Sequence, residues 1–175
     1  AQIRALRPDL SVRQIRGNVP TRIEKVRRGE YDATVLAAAG LLRLDLAHEA
    51  TQWFTLDEVL PAPGQGALAV QCRAEDEGTR MLLAAIDNRA DRAATTAERH
   101  FLQALGGGCS APIAAYARVD EGQGVMLQGV VASVDGTKRV RVSGTMASLE
   151  DANALAEELA RKALQQGAGE ILGGD

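Results

Sequence analysis

From Leu10 to Ile15 (LSVRQI) apolar and polar residues alternate, the pattern of a half-buried strand. Gly17-Asn18 marks a turn, and Pro20 suits the first turn of a helix. That helix turns Ile23 and Val26 inward and ends at Gly29. Tyr31 to Ala39 (YDATVLAAA) is a continuous small or apolar run and predicts a buried strand; Gly40 then precedes a short helix, Leu41 to Leu46. Strand, helix, strand, helix in so short a span predicts an α/β layer with parallel strands. Ahead of it, AQIRALRPDL reads as the tail of an amphipathic helix stopped by Pro8. A chain that starts inside an uncapped helix is expected of a fragment.

The pattern loosens between Trp53 and Pro61. Pro61-Ala62-Pro63-Gly64-Gln65-Gly66 makes a turn-rich elbow, followed by the apolar stretch Ala67 to Val70, a candidate strand of a sheet completed elsewhere. Two helices are predicted beyond it, Thr79 to Ile86 and Ala93 to Leu105, the second closed by Gly106-Gly107-Gly108. Three strands follow, Ile113 to Val119, Val125 to Val134 and Lys138 to Ser143, with Asp135-Gly136 as a tight turn between the last two. Arg139 and Arg141 alternate with Val140 and Val142, so one sheet face is wet and the other covered. The cover is a last long helix: Ser148 and Asp151 form an S-x-x-D start, and Ala152, Leu155, Ala156, Leu159 and Ala163 recur at helical spacing. These elements make a small α+β domain.

Composition narrows the functional classes. The chain has 175 residues, 46% hydrophobic and 25% charged, and carries a net charge of −3, which gives no general attraction to nucleic acid or anionic membrane. Any anion site must therefore be local. Lysine occurs only at Lys25, Lys138 and Lys162, so the cations are mainly arginine, a composition that suits carboxylate recognition but also follows from genome base content. Two cysteines, Cys72 and Cys109, do not make a disulfide framework and point to a reducing, cytoplasmic setting. With His48 and His100 they show no zinc spacing, so no metal is expected. No apolar run reaches the roughly 20 residues of a membrane span.

Three arginines stand out by position: Arg16 at the end of the first predicted strand, Arg22 in the first turn of the next helix, and Arg43 in the helix after the second strand. Ligands of open α/β sheets bind at the carboxyl ends of strands, and a helix N-terminus favours anions. These positions suit a carboxylate or phosphate pocket, and equally suit surface arginines near helix ends. Cys109, in Gly106-Gly107-Gly108-Cys109-Ser110-Ala111-Pro112, sits in a shaped loop that a bulky group could approach. It is either a nucleophile or attachment point, or a small half-buried cysteine. His100 is not convincingly placed as its base. Cys72, inside a strand pattern, reads as core.

Five groups of residues occur here in one order: Ile15-Arg16-Gly17-Asn18-Val19 with Thr21-Arg22; Gly29-Glu30-Tyr31-Asp32-Ala33; Ala39-Gly40-Leu41 with Arg43; Leu60-Pro61-Ala62-Pro63-Gly64-Gln65-Gly66-Ala67; and Thr96-Ala97-Glu98-Arg99 followed by Gly107-Gly108-Cys109. Together they resemble the porphobilinogen deaminase family along essentially the whole chain. The resemblance implies a transferase of tetrapyrrole (porphyrin and heme) biosynthesis. Such an enzyme condenses four porphobilinogen molecules head to tail, with loss of ammonia, on a dipyrromethane cofactor, and releases hydroxymethylbilane. It implies that Cys109 holds the cofactor through a thioether, and that Arg16, Arg22 and Arg43 bind the acetate and propionate groups of cofactor and growing chain. Backbone near Leu36, Ala37 and Gly66 is then expected to line the same cleft.

The family's fold implies residues 1–59 as the end of a second, periplasmic-binding-protein-like α/β domain. Residues 60–74 become a return segment to the first domain. Residues 75–175 become linking helices and a third domain, a three-stranded antiparallel sheet covered by helices. The family's catalytic aspartate lies in its N-terminal half, so no catalytic residue is expected here and the chain alone is expected to be inactive. Partners are expected to be porphobilinogen and the growing pyrrole chain, with no nucleic acid and no membrane, and the complete protein is expected to be a monomer. The alternative from another class is a non-catalytic anion-binding module of periplasmic-binding-protein type, which gives Cys109 no task; an inactive structural piece is a third.

Overall fold

The computed structural model describes residues 1–108, 111–120 and 124–173. The chain divides into two compact units, one of residues 1–8 with 59–175 and the other of residues 9–58.

The larger unit holds the core. Its sheet has three antiparallel strands in the order β1 (Ile113–Asp120), β2 (Gly124–Ala132) and β3 (Arg139–Met146). Alternation sets its faces as expected: Ala115, Ala117, Val125, Leu127, Val131, Val140 and Val142 lie inward in one apolar cluster. Two helices cover that face, α5 (Arg89–Ala104) through Ala97 and Phe101, and α6 (Ala152–Gln165) through Leu155, Ala156, Leu159, Ala160 and Ala163. Each large side chain buried this way contributes about 1.5–3 kcal/mol. Phe101 is fully buried, and its ring lies over Gly129 in the central strand. A Cβ added at Gly129 would come within 2.3 Å of the ring, so this strand position has room only for glycine.

Local chemistry sets the helix starts. Asn88 caps α5, its side-chain oxygen accepting from the Ala90 and Asp91 amides at 2.9 and 3.1 Å, so the helix begins four residues before the predicted Ala93. Asp76 caps α4 (Glu77–Ala84) in the same way, accepting from the Thr79 amide at 3.0 Å. The S-x-x-D signal does not act as a reciprocal box. Asp151 makes no side-chain capping bond, and the Ser148 hydroxyl instead accepts from the Glu150 amide at 3.1 Å. The turn after β2 is also wider than two residues. Its connection runs from Ser133 to Lys138, with Asp135 accepting from the Ser133 hydroxyl and from the Thr137 amide and hydroxyl; these bonds hold the Asp135 carboxyl down at about 2. A short helix α7 (Ala168–Gly173) follows α6.

At the start of the chain, α1 (Gln2–Leu6) confirms the helical reading of AQIRALRPDL. The Gln2 amide pairs with both the N–H and the C=O of Leu60, at 3.0 and 2.8 Å, and Leu60 is buried. Arg4 donates to the Val134 carbonyl at 2.9 Å.

The smaller unit contains α2 (Val19–Arg27), α3 (Ala38–Arg43) and a single 3-10 turn at Ala47–Glu49. Here the strand expectations fail. Leu10 to Ile15 and the first part of Tyr31 to Ala39 are extended but form no ladder, and α3 begins at Ala38, inside the run read as strand. Ala67 to Val70 in the larger unit is likewise extended and unladdered. The reason is common to all three. A strand exists by virtue of a neighbour that pairs its N–H and C=O groups in a ladder, and among the described residues no ladder forms on these segments. Side chains hold the first two segments instead: the Tyr31 hydroxyl donates to the Gln14 carbonyl at 3.0 Å, and the Arg13 guanidinium sits 5.2 Å from the Tyr31 ring centroid. The expected parallel layer is therefore absent among the described residues, and the sheet that forms is the antiparallel one.

Two consequences are measurable. Leu41 is the only buried residue between positions 9 and 58, so amide exchange there should proceed by local opening well before that of β1–β3, α5 and α6. Uniform protection along the chain would contradict this. Gly129→Ala should lower stability by roughly 1–3 kcal/mol by driving a methyl into the Phe101 ring. Urea unfolding of the two proteins measures the difference.

Candidate functional site

In the smaller unit the polypeptide approaches α2 through a shaped turn. Gly17 adopts φ 124°, and a Cβ there would lie 2.8 Å from the Thr21 methyl, so the position requires glycine on two counts. Asn18 is the N-cap: its side-chain oxygen accepts from the Thr21 amide at 3.0 Å and from the Thr21 hydroxyl at 2.6 Å. Arg22, one turn in, donates through Nε to the Gly17 carbonyl at 2.8 Å. That bond fixes the base of the guanidinium and leaves its two terminal nitrogens without a partner among the described residues. Lys25 reaches back to the Arg16 carbonyl at 3.2 Å, while the exposed Arg16 side chain itself pairs with none of the described residues.

The second helix meets the first at this end. Gly40 of α3 packs on Val19, the first residue of α2, and a Cβ at Gly40 would stand 3.2 Å from the Val19 methyl. Ala37 is the N-cap of α3, with half-buried Leu36 just before it, and exposed Arg43 closes the helix with no partner among the described residues. The Arg16–Asn18 turn, the Arg22 turn of α2 and the Ala37–Arg43 segment therefore belong to two helices in contact at Val19 and Gly40. Arg16, Arg43 and the free end of Arg22 offer planar donor groups. Their chemistry suits carboxylates, which accept two parallel N–H bonds from one guanidinium. The donor set thus fits a ligand rich in carboxylates, as a dipyrromethane with acetate and propionate side chains is.

Gly66 belongs to the larger unit, at φ 83° with open space where a Cβ would point. Cys109 lies outside the described residues. Cys72, read as core, is a half-buried free thiol. Among the described residues no helix is long and apolar enough to cross a membrane.

One residue of this region had no role assigned from the sequence. Glu98, in α5, is 5% exposed, yet it is a charged residue on the apolar stripe that includes Ala94, Ala97 and Phe101. Its two oxygens accept from the Gly64 amide at 2.6 Å and from the Ala117 amide at 2.7 Å. Burial pushes its carboxyl above the usual glutamate range, partly offset by the Ala117 and Gly64 N–H groups and the nearby Arg99 charge. An acidic residue at an inward helical position was the available signal. The partners were not, because one is 34 residues before it and the other 19 after.

Two family models match the chain in sequence order. Residues 1–81 match the family model described as "Porphobilinogen deaminase, dipyromethane cofactor binding domain", and residues 93–165 match "Porphobilinogen deaminase, C-terminal domain". The porphobilinogen deaminase of Brevibacillus brevis is 45% identical over 172 residues, covering 98% of this chain and 55% of that protein. Those of Thermus thermophilus and Thermobifida fusca are 47% and 45% identical, again over 98% of this chain and over 57% and 56% of their own lengths. The chain thus spans little more than half the length of these relatives. With both models matched in sequence order, and relatives this similar from one end of the chain to the other, the chain belongs to the porphobilinogen deaminase family.

Proposed function

We propose that this chain is the cofactor-carrying part of a hydroxymethylbilane synthase, a transferase that joins four porphobilinogen molecules head to tail with loss of ammonia. The observation that carries the reading is the ordered match of the cofactor-binding and C-terminal family models along the chain. The unpartnered guanidinium groups support it from the side of chemistry. Cys109 would hold the dipyrromethane through a thioether, and the group would supply the pyrrole to which the first substrate is joined. Arg16, Arg22 and Arg43 bind carboxylates of cofactor and growing chain, and backbone at Leu36, Ala37 and Gly66 borders the same cleft. Arg22 is suited to this because its Nε bond to Gly17 already restrains the side chain, so less freedom is lost when its terminal nitrogens take a carboxylate.

No residue of the chain is assigned the acid–base step; we place the catalytic carboxylate in the remainder of the complete enzyme, and expect the chain alone to be inactive. Residues 1–59 are the end of a periplasmic-binding-protein-like lobe, residues 60–74 return to another domain, and residues 75–175 form the linking helices and the cofactor-carrying domain. The extended stretches read from sequence as strands become strands of sheets shared with the rest of the protein. Exposure of Leu68 (85%) and Val70 (62%) in the return segment fits a strand that pairs there. The complete enzyme works as a cytoplasmic monomer on small molecules and touches neither nucleic acid nor membrane. A non-catalytic anion-binding module would account for the arginines but would leave a cofactor-binding family match without a cofactor.

Two experiments on the complete enzyme decide the matter. Intact mass with peptide mapping should find the pyrrole adduct on Cys109, absent in Cys109→Ala and retained in Cys72→Ala; an adduct on Cys72 would overturn the assignment. Arg16→Leu or Arg22→Leu should fold normally but stall assembly or elongation, each having lost a charge-assisted pair of roughly 1.5–3 kcal/mol, about tenfold or more in binding. Unchanged kinetics would leave these arginines as surface residues.

A further inference from the structure

We propose that Glu98 is a positioning residue for the reaction: its carboxylate holds the Pro61–Gly66 elbow against the α5–β1 body and so sets where the cleft-lining backbone at Gly66 stands. The inference rests on the reading above, in which Gly66 borders the cofactor and growing chain.

The elbow is fastened to the body at successive points. Leu60 is clasped by the Gln2 amide, the Pro61 carbonyl accepts from the Ala115 amide at 3.1 Å, and the Gly64 amide donates to Glu98 at 2.6 Å. The first two lie before the elbow bends. Among the described residues, the Glu98 bond is the only hydrogen bond that ties the elbow to the body beyond Pro63, two residues from Gly66. The other oxygen of the same carboxylate takes the Ala117 amide, so one side chain references the elbow to the sheet edge.

A carboxylate is a costly choice for mere packing. Burying one costs several kcal/mol unless its oxygens are satisfied. Here each oxygen accepts one N–H, an arrangement that glutamine cannot copy, because its NH2 would face one of the two donors. Alanine or leucine at this inward position would avoid that cost but leave the Gly64 and Ala117 N–H groups without this acceptor. The geometry therefore favours a role in placement. The alternative is that Glu98 only caps the β1 edge, which predicts a loss of stability and nothing more.

Kinetics separate the two. In the complete enzyme, Glu98→Gln should lower kcat by about tenfold to a hundredfold, the scale of a small misplacement of reacting groups, with KM changing less. Val142→Ala, which trims the core far from the elbow, serves as a destabilised control and should keep near-normal kcat. Glu98→Asp, which keeps the charge on a shorter stem, should fall between wild type and Glu98→Gln. Loss of the Cys109 adduct in folded Glu98→Gln would also support the proposal, since cofactor assembly uses the same cleft. Glu98→Gln kinetics equal to those of Val142→Ala would overturn it. Should Glu98→Gln not fold, the same comparison is decided on Glu98→Asp: a kcat below that of Val142→Ala supports the role, and equality refutes it. A wild-type enzyme with no adduct on Cys109 would instead sink the cofactor assignment, an outcome visible before any Glu98 variant is made.

Discussion

The contact between Phe101 and Gly129 is the constraint on which the larger unit depends. Phe101 comes from the last turn of α5, Gly129 from the middle of the central strand, and the ring occupies the space a side chain would have taken. This lets a helix lie close on a twisted sheet and brings Ala97 and Ala115 into the same dry cluster. The small residues of α6, Ala156, Ala160 and Ala163, permit equally close packing of the second helix. With two helices set so near three strands, α5 ends against a packed sheet.

The sheet also has an edge to protect. β1 is an outer strand, and its outward N–H groups need partners. Ala115 finds the Pro61 carbonyl and Ala117 finds the Glu98 carboxylate. Neither partner belongs to a strand. The edge is therefore closed by an irregular segment and one buried charge, and the closing segment is the elbow that leads to Gly66. Protection of the sheet edge and anchoring of the elbow are achieved by the same few bonds.

The smaller unit follows a different logic. It has almost no buried side chains of its own, and its order comes from caps and local polar contacts: Asn18 on Thr21, Arg22 on Gly17, Tyr31 on Gln14. Such contacts define a turn sharply while contributing little to global stability. They leave the Arg16 and Arg43 side chains and the terminal nitrogens of Arg22 without partners among the described residues.

How much of this was legible in the sequence depended on the range of the determining interactions. Helices and hairpins are specified by neighbours a few residues apart. The α5 and α6 stripes, the three strands, the Asp135 turn and the Gly17-Asn18 start of α2 were therefore readable to within a few residues. The candidate arginines were readable as types at suggestive positions, and their order with the glycine motifs carried the family resemblance. The strands expected at Leu10–Ile15 and Tyr31–Ala39 form no ladder among the described residues, because a local pattern reports only what a segment could bury. Whether it becomes a strand depends on a partner that no local pattern contains. Glu98 shows the same limit from the other side. Its inward position was visible in α5, but its two donors come from segments distant in the chain. Only the folded chain could decide that a buried charge there would be satisfied, because satisfaction requires N–H groups that converge in space and not in sequence.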